Sequence, residues 1–395
     1  MDAEQWRPFL KRWSEEWIAA HDPENDQPLD EAVVRDGWLG FAPAAEEEIA
    51  AAEARLGVSL PPSLREFLAV TNGWRDAGNF IYRLASTAEL GWLRDLDPGW
   101  IDAFGAAMDG ALDEDDDEYE GVTPMLRRAL QLSLDGDCAV MFLDPGDVDA
   151  GGEWAGYWLA SWSGEGPERF GSFYDLMYGQ YKSFHALDHP AGETRDQWDA
   201  KIEQARLDAL GGDVDGPLAV LEEAEEFGRE RAGLLRFQML AMLGSWDGLP
   251  PGYTPVNSSE SFDEWRNPLF TAEILPLLFA EDRLTGRSHG LASLEVLMAD
   301  GPDEARLLVA EYQAQLREPG FRVSYGNPEF DAAVHAIAGG PAEDAWPALR
   351  DAMRLWQPRT GDHIAPIVLF ADPVLAQVIT EDRGREILSM PRGRQ

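Results

Sequence analysis

Lysine and cysteine are nearly absent from this 395-residue sequence, and long apolar runs are missing. The three lysines are Lys11, Lys182 and Lys201, so arginine supplies most of the basic charge. The single cysteine, Cys138, excludes an internal disulfide framework and a cysteine-rich zinc site. No apolar run approaches the ~18 residues of a membrane span, and the first twenty residues lack the apolar segment of a secretory signal. We therefore expect a cytoplasmic protein.

Acidic residues dominate the charge, with 73 Asp and Glu against 32 Lys and Arg, for a formal net charge of −41. Nucleic acid is held by basic side chains that neutralise its phosphates, and an anionic membrane surface repels an acidic chain. Neither is an expected partner. Strong negative charge instead favours solubility and fast capture of a cationic partner.

Two domains are expected. Apolar residues make up 45% of the chain, ample for buried cores, and a domain takes about 100–200 residues. A polar linker at 188–195 separates a mixed helix and strand pattern from a purely helical one. The expected domains are 1–190, α+β, and 191–395, all-α.

Apolar spacing predicts the elements of the first half. Helices are expected near 4–20, 43–57, 63–70, 88–94 and 172–184, and strands near 80–84, 129–134, 139–143 and 155–162. Asp135-Gly136-Asp137 is expected to form a hairpin turn. The first helix should expose one polar face, made by Lys11, Arg12, Glu15 and Glu16.

The second half shows helical periodicity between Gly and Pro breaks. Helices are expected near 195–210, 216–227, 231–243, 268–280, 288–299, 303–317, 328–338, 342–355, 371–380 and 383–389. The first pairs resemble tetratricopeptide-type arrays, although no fixed period persists over three units. We expect a helical-repeat-like domain.

Catalytic patterns are missing. There is no phosphate-binding glycine loop, no dinucleotide fingerprint and no nucleophile elbow. His185 and His189 have metal-ligand spacing, but the Glu of a zinc-protease helix is missing and Pro190 follows, so they are interpreted as surface histidines at a helix end. Cys138 is interpreted as a buried strand residue. No catalytic, cofactor or metal site is predicted.

The stretch 95–125 carries eleven acidic residues and no basic one. Such a block repels itself and is typical of a solvated loop. The run at 113–118 does not fit a calcium-binding loop. Such a loop requires Gly at its sixth position and Glu at its twelfth, where this sequence has Glu118 and Pro124.

The segment 41–74 resembles the SUKH superfamily, which includes bacterial toxin-immunity proteins and fungal regulators of cell-wall assembly. The resemblance depends on a helix with Glu48-Ile49 and Glu53, the turn Leu56-Gly57-Val58-Ser59-Leu60-Pro61, the helix that begins Pro62-Ser63-Leu64, and Asn72-Gly73-Trp74. Weaker similarity at 137–144, 157–158 and 172–177 extends it over about 1–188. The resemblance implies helices on a mixed, twisted β-sheet without catalytic residues.

The sequence therefore favours a non-enzymatic protein-binding module. Its expected role is an immunity protein that neutralises a basic, nuclease-type polymorphic toxin; the alternative is a regulatory adaptor or scaffold that binds a protein or peptide through the helical domain. The expected partner-binding residues are Asp113, Asp115, Asp116 and Asp117, which steer the partner, and the tryptophans Trp74, Trp92 and Trp100, which anchor it. The sequence leaves the oligomeric state open.

Overall fold

The computed structural model describes residues 2–24, 28–105, 122–164, 166–245, 267–280, 303–338 and 342–393. These residues form two compact units, Met1–Arg195 and Asp196–Gln395, here called unit 1 and unit 2. The expected helix near 288–299 lies outside the described residues. An α+β class is confirmed for the protein, with strands in unit 1.

Unit 1 contains seven labelled α-helices within its described residues. They are α1 (Ala3–Ala20), α2 (Glu31–Asp36), α3 (Glu46–Leu56), α4 (Pro62–Val70), α5 (Leu93–Leu96), α6 (Val122–Arg128) and α7 (Phe173–Asp188). Local chemistry fixes their ends. Asp2 and Gln5 form a reciprocal capping box at the start of α1. Pro62 occupies the first turn of α4, and Gly57 ends α3 at a φ of +74°.

Two sheets lie among these helices. Their strands are β1 (Trp74–Arg75), β2 (Ile81–Leu84), β3 (Gly91–Trp92), β4 (Leu130–Gln131), β5 (Ser133–Gly136), β6 (Ala139–Val148), β7 (Trp154–Ala160) and β8 (Glu168–Phe170). The strand orders are β1-β2-β5 and β3-β4-β6-β7-β8. The resemblance implied a mixed sheet, whereas the pairings between these strands are antiparallel.

The turn at 135–137 does not join a simple hairpin. β4 pairs with β6, while β5, which lies between them in sequence, leaves that sheet and pairs with β2. Cys138 follows β5 with a φ of +50° and an exposed side chain, so the expectation of a buried strand cysteine was wrong. The expected helix near 88–94 was also displaced, because β3 occupies Gly91–Trp92 and α5 begins only at Leu93.

The β6–β7 pair is covered on one face by α5, α6 and neighbouring residues. Phe142 and Tyr157 face each other across the two strands with ring centroids 5.4 Å apart and nearly parallel planes. Leu93 and Leu126 pack into the same buried cluster. Because this face excludes water, the alternating apolar residues of β6 and β7 fix the register of the hairpin.

Unit 2 contains helices and no strand among its described residues. Its α-helices are α8 (Glu193–Gly211, which begins in unit 1), α9 (Asp215–Glu226), α10 (Glu230–Met242), α11 (Leu275–Leu278), α12 (Asp303–Gln315), α13 (Pro328–Ala338), α14 (Ala342–Ala352), α15 (Pro373–Val378) and α16 (Glu381–Leu388). A π-helix spans Phe270–Ile274, and 3₁₀-helices span Met353–Leu355 and Ile367–Ala371. The helices expected near 268–280 and 371–380 are therefore broken into shorter and tighter turns.

Candidate partner-binding surface

The structure separates the predicted partner-binding residues into three groups. Asp113, Asp115, Asp116 and Asp117 lie outside the described residues. Trp74 is completely buried, with 0% of its surface exposed. Its ring packs edge-on against Trp38 at 5.2 Å and beside Trp13 at 6.1 Å. Trp74 is therefore a core residue and offers no surface to a partner, which corrects its interpretation as an anchor.

Trp92 and Trp100 are half-buried. The Arg94 guanidinium lies 5.2 Å from the Trp92 ring centroid. Trp100 stacks on Phe104 at 5.1 Å and packs against the buried cluster below β6 and β7. Each ring is largely occupied by intramolecular contacts, and only part of its surface remains open to a partner.

Another set of aromatic residues, separate from Trp74, Trp92 and Trp100, includes rings that are more exposed. The loop before β2 places Phe80 4.9 Å from Trp162, and Trp158 of β7 lies 6.1 Å from Trp162. Trp162 follows β7 and is 48% exposed. The arrangement is fixed by backbone hydrogen bonds: Asp137 N–H donates to the Phe80 carbonyl, and Ser161 N–H donates to the Cys138 carbonyl.

Carboxylates border these rings. Asp135 and Asp137 are exposed, and neither forms an ion pair with another described residue. Partial burial raises the pKa of the Tyr82 hydroxyl, and the charges of Asp137 and Asp135 raise it further, which places both carboxylates within electrostatic reach of Tyr82. Phe80, Tyr82, Asp135, Asp137, Trp158 and Trp162 are here called the aromatic–acidic face.

This face is suited to cationic side chains. A guanidinium or ammonium group is attracted to the face of a tryptophan ring, and an uncompensated carboxylate supplies a charge-assisted hydrogen bond. Tryptophan and tyrosine also bury large areas at low entropic cost, which makes them frequent anchors of protein interfaces. The chemistry of the face is therefore compatible with cationic side chains.

Asp76 borders Tyr82 on the β1–β2 turn. Its backbone N–H donates to the Tyr82 carbonyl at 2.9 Å, and its φ of +50° lies in the left-handed region. Burial raises the pKa of the Asp76 carboxyl to about 6, although the nearby charges of Arg75 and His21 act in the opposite direction.

A buried polar cluster joins α1, α7 and the start of α8 within unit 1. The Glu16 carboxylate accepts hydrogen bonds from the Tyr181 hydroxyl and from Thr194 N–H at 3.0 Å, and His185 Nε2 lies 3.0 Å from its Oε2. Glu16 and His185 were both expected at the surface, which was wrong. His189, in contrast, is exposed and ends α7 in the left-handed conformation.

The sequence contained only a weak signal for these features. Trp158 and Trp162 lie within the strand expected near 155–162, but the sequence did not reveal which of these rings stay exposed. A glutamate on the apolar side of a helix, one turn from Trp13, was the available signal for the buried cluster. Among the described residues, no three His, Cys, Asp or Glu side chains converge to hold a metal ion.

The comparisons with known proteins concern unit 1. Residues 43–184 match the SMI1/KNR4 family (SUKH-1). No curated protein and no solved structure matches the chain. The match includes the aromatic–acidic face and excludes α1 and unit 2. In the described part of the chain, no helix is long and apolar enough to cross a membrane.

SUKH-1 proteins are known at the family level as protein-binding immunity or regulatory modules. The resemblance of the N-terminal half to the SUKH superfamily is thereby confirmed over residues 43–184.

Proposed function

We propose that unit 1 is a non-enzymatic protein-binding module that neutralises a basic toxin, and that the aromatic–acidic face contacts it. The observation that carries the proposal is the pairing of exposed aromatic rings with exposed carboxylates that form no ion pair within the described residues. Trp162 is 48% and Tyr82 45% exposed. An isolated protein gains nothing from leaving such rings in water.

Charge supports a basic partner. Residues 1–190 contain 13 basic and 38 acidic residues, a net charge of −25. A toxin that cleaves nucleic acid presents a cationic surface to its substrate, and an acidic protein that covers this surface blocks it. Long-range attraction accelerates the encounter, and contacts at the face then set the lifetime of the complex.

The acidic run at 113–118 enters this proposal as a steering element. Replacing Asp113, Asp115, Asp116 and Asp117 with Asn and Ser should slow association and leave dissociation unchanged, because charges outside the contact act on the encounter. An unchanged association rate would remove the run from the proposal and leave the face as the binding surface.

Capture followed by growth rescue tests the proposal. The full chain is immobilised, exposed to native-host extract at low salt and eluted at high salt, and eluted proteins are identified by mass spectrometry. Each basic candidate is then expressed in a heterologous host with and without this protein. Growth arrest that is relieved by the wild-type chain supports the proposal, whereas captured proteins that are harmless or whose toxicity persists contradict it.

An apolar groove in unit 2 favours the adaptor as a second candidate. It encloses about 560 Å³ between α13 and α14, with walls formed by Ala333, Ile337, Ala345, Ala348 and Leu355. An amphipathic helix of a protein partner fits such a groove through apolar side chains one turn apart. Ala348→Glu places a charge in the groove; if the captured partner still binds this variant with unchanged affinity, the adaptor function through α13 and α14 is wrong.

A further inference from the structure

A cavity of about 380 Å³ in unit 2 has a polar end and apolar walls. The π-helix, α12, residues 321–324 and Arg359 enclose it, with Pro276, Leu308, Tyr312 and Phe321 among the apolar lining residues. Its volume lies in the range of small-molecule sites, which combine apolar walls with a few fixed polar groups.

The polar end is Arg359, whose guanidinium is held from two sides. Its Nη2 donates to the Ser324 carbonyl at 2.7 Å, and its Nε lies 3.2 Å from Oε1 of Glu273. A guanidinium has five N–H donors. Its Nη1 has no protein partner in the described residues, so donors remain for a ligand in the cavity that Arg359 lines.

Glu273 is itself rigidly placed. It is 1% exposed on the π-helix, and its Oε2 accepts the Val368 N–H at 2.9 Å. His363 Nε2 faces its Oε1 at 3.2 Å, while His363 Nδ1 accepts the backbone N–H of Arg359. π-helical turns are frequent at functional sites, and a glutamate fixed in this way orients the arginine in advance of binding.

The contacts between these three side chains are incomplete. Glu273 Oε1, Arg359 Nε and His363 Nε2 are all buried and lie within ion-pair distance without hydrogen-bond alignment. Buried polar atoms without aligned partners are uncommon in native proteins. Arg322 and Glu311 line the same cavity, and neither forms an ion pair within the described part of the chain; with Arg359, the lining therefore carries two cations and one carboxylate.

We infer that this cavity binds a small carboxylate with a compact apolar body. The carboxylate accepts from the free donors of Arg359, with Arg322 close by, and the apolar body lies among Pro276, Leu308 and Phe321. The guanidinium is matched to a carboxylate because two parallel N–H groups meet two oxygens. This site is independent of the aromatic–acidic face.

Binding of hexanoate and benzoate to the full chain tests the inference, with hexanamide and benzamide as uncharged counterparts of the same shape. Saturation-transfer NMR and calorimetry should detect the carboxylates and show at least tenfold weaker binding of the amides. Equal binding of acid and amide would overturn the role of Arg359, and the absence of carboxylate binding would overturn the site.

Two tryptophan substitutions on α12 separate site from fold. Leu308→Trp fills the cavity and should abolish binding, whereas Leu307→Trp, at a position that is 58% exposed and does not line the cavity, should leave binding unchanged. Neither Leu307 nor Leu308 is a hydrogen-bond or ion-pair partner of Arg359. Carboxylate binding that survives Leu308→Trp, or is lost equally in both variants, contradicts the assignment.

Discussion

His185 Nε2 lies 3.0 Å from Oε2 of Glu16, and both side chains are buried in unit 1. Glu16 belongs to α1, which precedes the SUKH-1 match, and His185 is the first residue after it. The pair, together with Tyr181 and Thr194, therefore attaches α1 to the family domain. A buried charged group without its partners is costly, so this attachment is specific.

Replacing Glu16 with Ala should destabilise unit 1 by about 3–5 kcal/mol, since His185, the Tyr181 hydroxyl and Thr194 N–H lose their common acceptor. Glu15→Ala is the matched control; Glu15 forms an exposed pair with Lys11 at 3.4 Å, and its loss should cost under about 1 kcal/mol. Urea denaturation measures both free energies of unfolding. Equal losses in the two variants would mean that the buried cluster does not attach α1.

Asp76→Asn should stabilise the protein at neutral pH and have little effect near pH 4. Burial raises the folded-state pKa of Asp76 to about 6, above its ordinary value of 3.8. The folded state therefore binds the Asp76 proton more tightly than the unfolded state does, and the free energy of unfolding falls as pH rises from 4 through 6. Asn removes the titration and tolerates the positive φ.

Asp76→Asn should raise the free energy of unfolding by roughly 1–2 kcal/mol at pH 7. This is less than the full pKa shift of Asp76 implies, because its side chain is half-buried. Paired urea titrations at pH 4, 5, 6 and 7 measure it. A difference in unfolding free energy that stays constant across this range would contradict the raised pKa.

Trp74 and Trp162 should give opposite phenotypes. Trp74→Ala opens a cavity in the aromatic core and should cost about 3–5 kcal/mol of stability. Trp162→Ala removes a half-exposed ring and should change stability by at most about 1 kcal/mol while weakening partner binding by at least about tenfold. Thermal unfolding measures the stability of both variants, and binding kinetics measure their affinity for the partner. If Trp74→Phe, which preserves the core, were to lose binding, Trp74 would be an anchor after all.

Arg392 stabilises the end of unit 2 without a carboxylate partner in the described residues. Its buried guanidinium donates to backbone carbonyls of Ile387 and Leu388 at the end of α16 and of Ala209 near the end of α8. Burial lowers its pKa to about 10. The positive charge also complements the negative ends of these helices.

Arg392→Ala should destabilise unit 2 by about 2–4 kcal/mol, because several buried carbonyls lose their donor. Arg392→Lys should recover only part of the loss, since one ammonium cannot replace the guanidinium fork. Arg354→Ala, at an exposed position, is the control. Chemical denaturation measures the free energy of unfolding of each variant. If all three values lie within about 0.5 kcal/mol of one another, the range of ordinary surface substitutions, this role of Arg392 is contradicted.

Local patterns predicted most helices and the main strands, because amphipathic spacing, proline and glycine act over a few residues. α1, α4 and α7 appear close to their expected limits. Exposure could not be predicted in the same way. Trp74 and Trp162 have the same side chain, yet one is enclosed by α1, α4 and the Trp38 segment, and the other lies at the open end of β7. Such differences depend on contacts between residues distant in sequence.

The buried charges were mispredicted for a related reason. Glu16 lies beside exposed Glu15, and only the arrival of His185 and Thr194, more than 160 residues away, compensates its burial. Cys138 was assigned to a strand because apolar residues follow it, but the departure of β5 toward β2 places it in a turn. The resemblance to SUKH proteins supplied the fold that these local signals could not.

The aromatic–acidic face is tested most directly by the association and dissociation rates of a captured basic partner at low and high salt. Asp135→Asn/Asp137→Asn is compared with Glu4→Gln/Glu47→Gln, which removes the same charge from exposed positions on α1 and α3. We expect the first variant to associate about three- to tenfold more slowly at low salt and to dissociate faster, while the control changes little. Identical rates for the two variants would contradict the account.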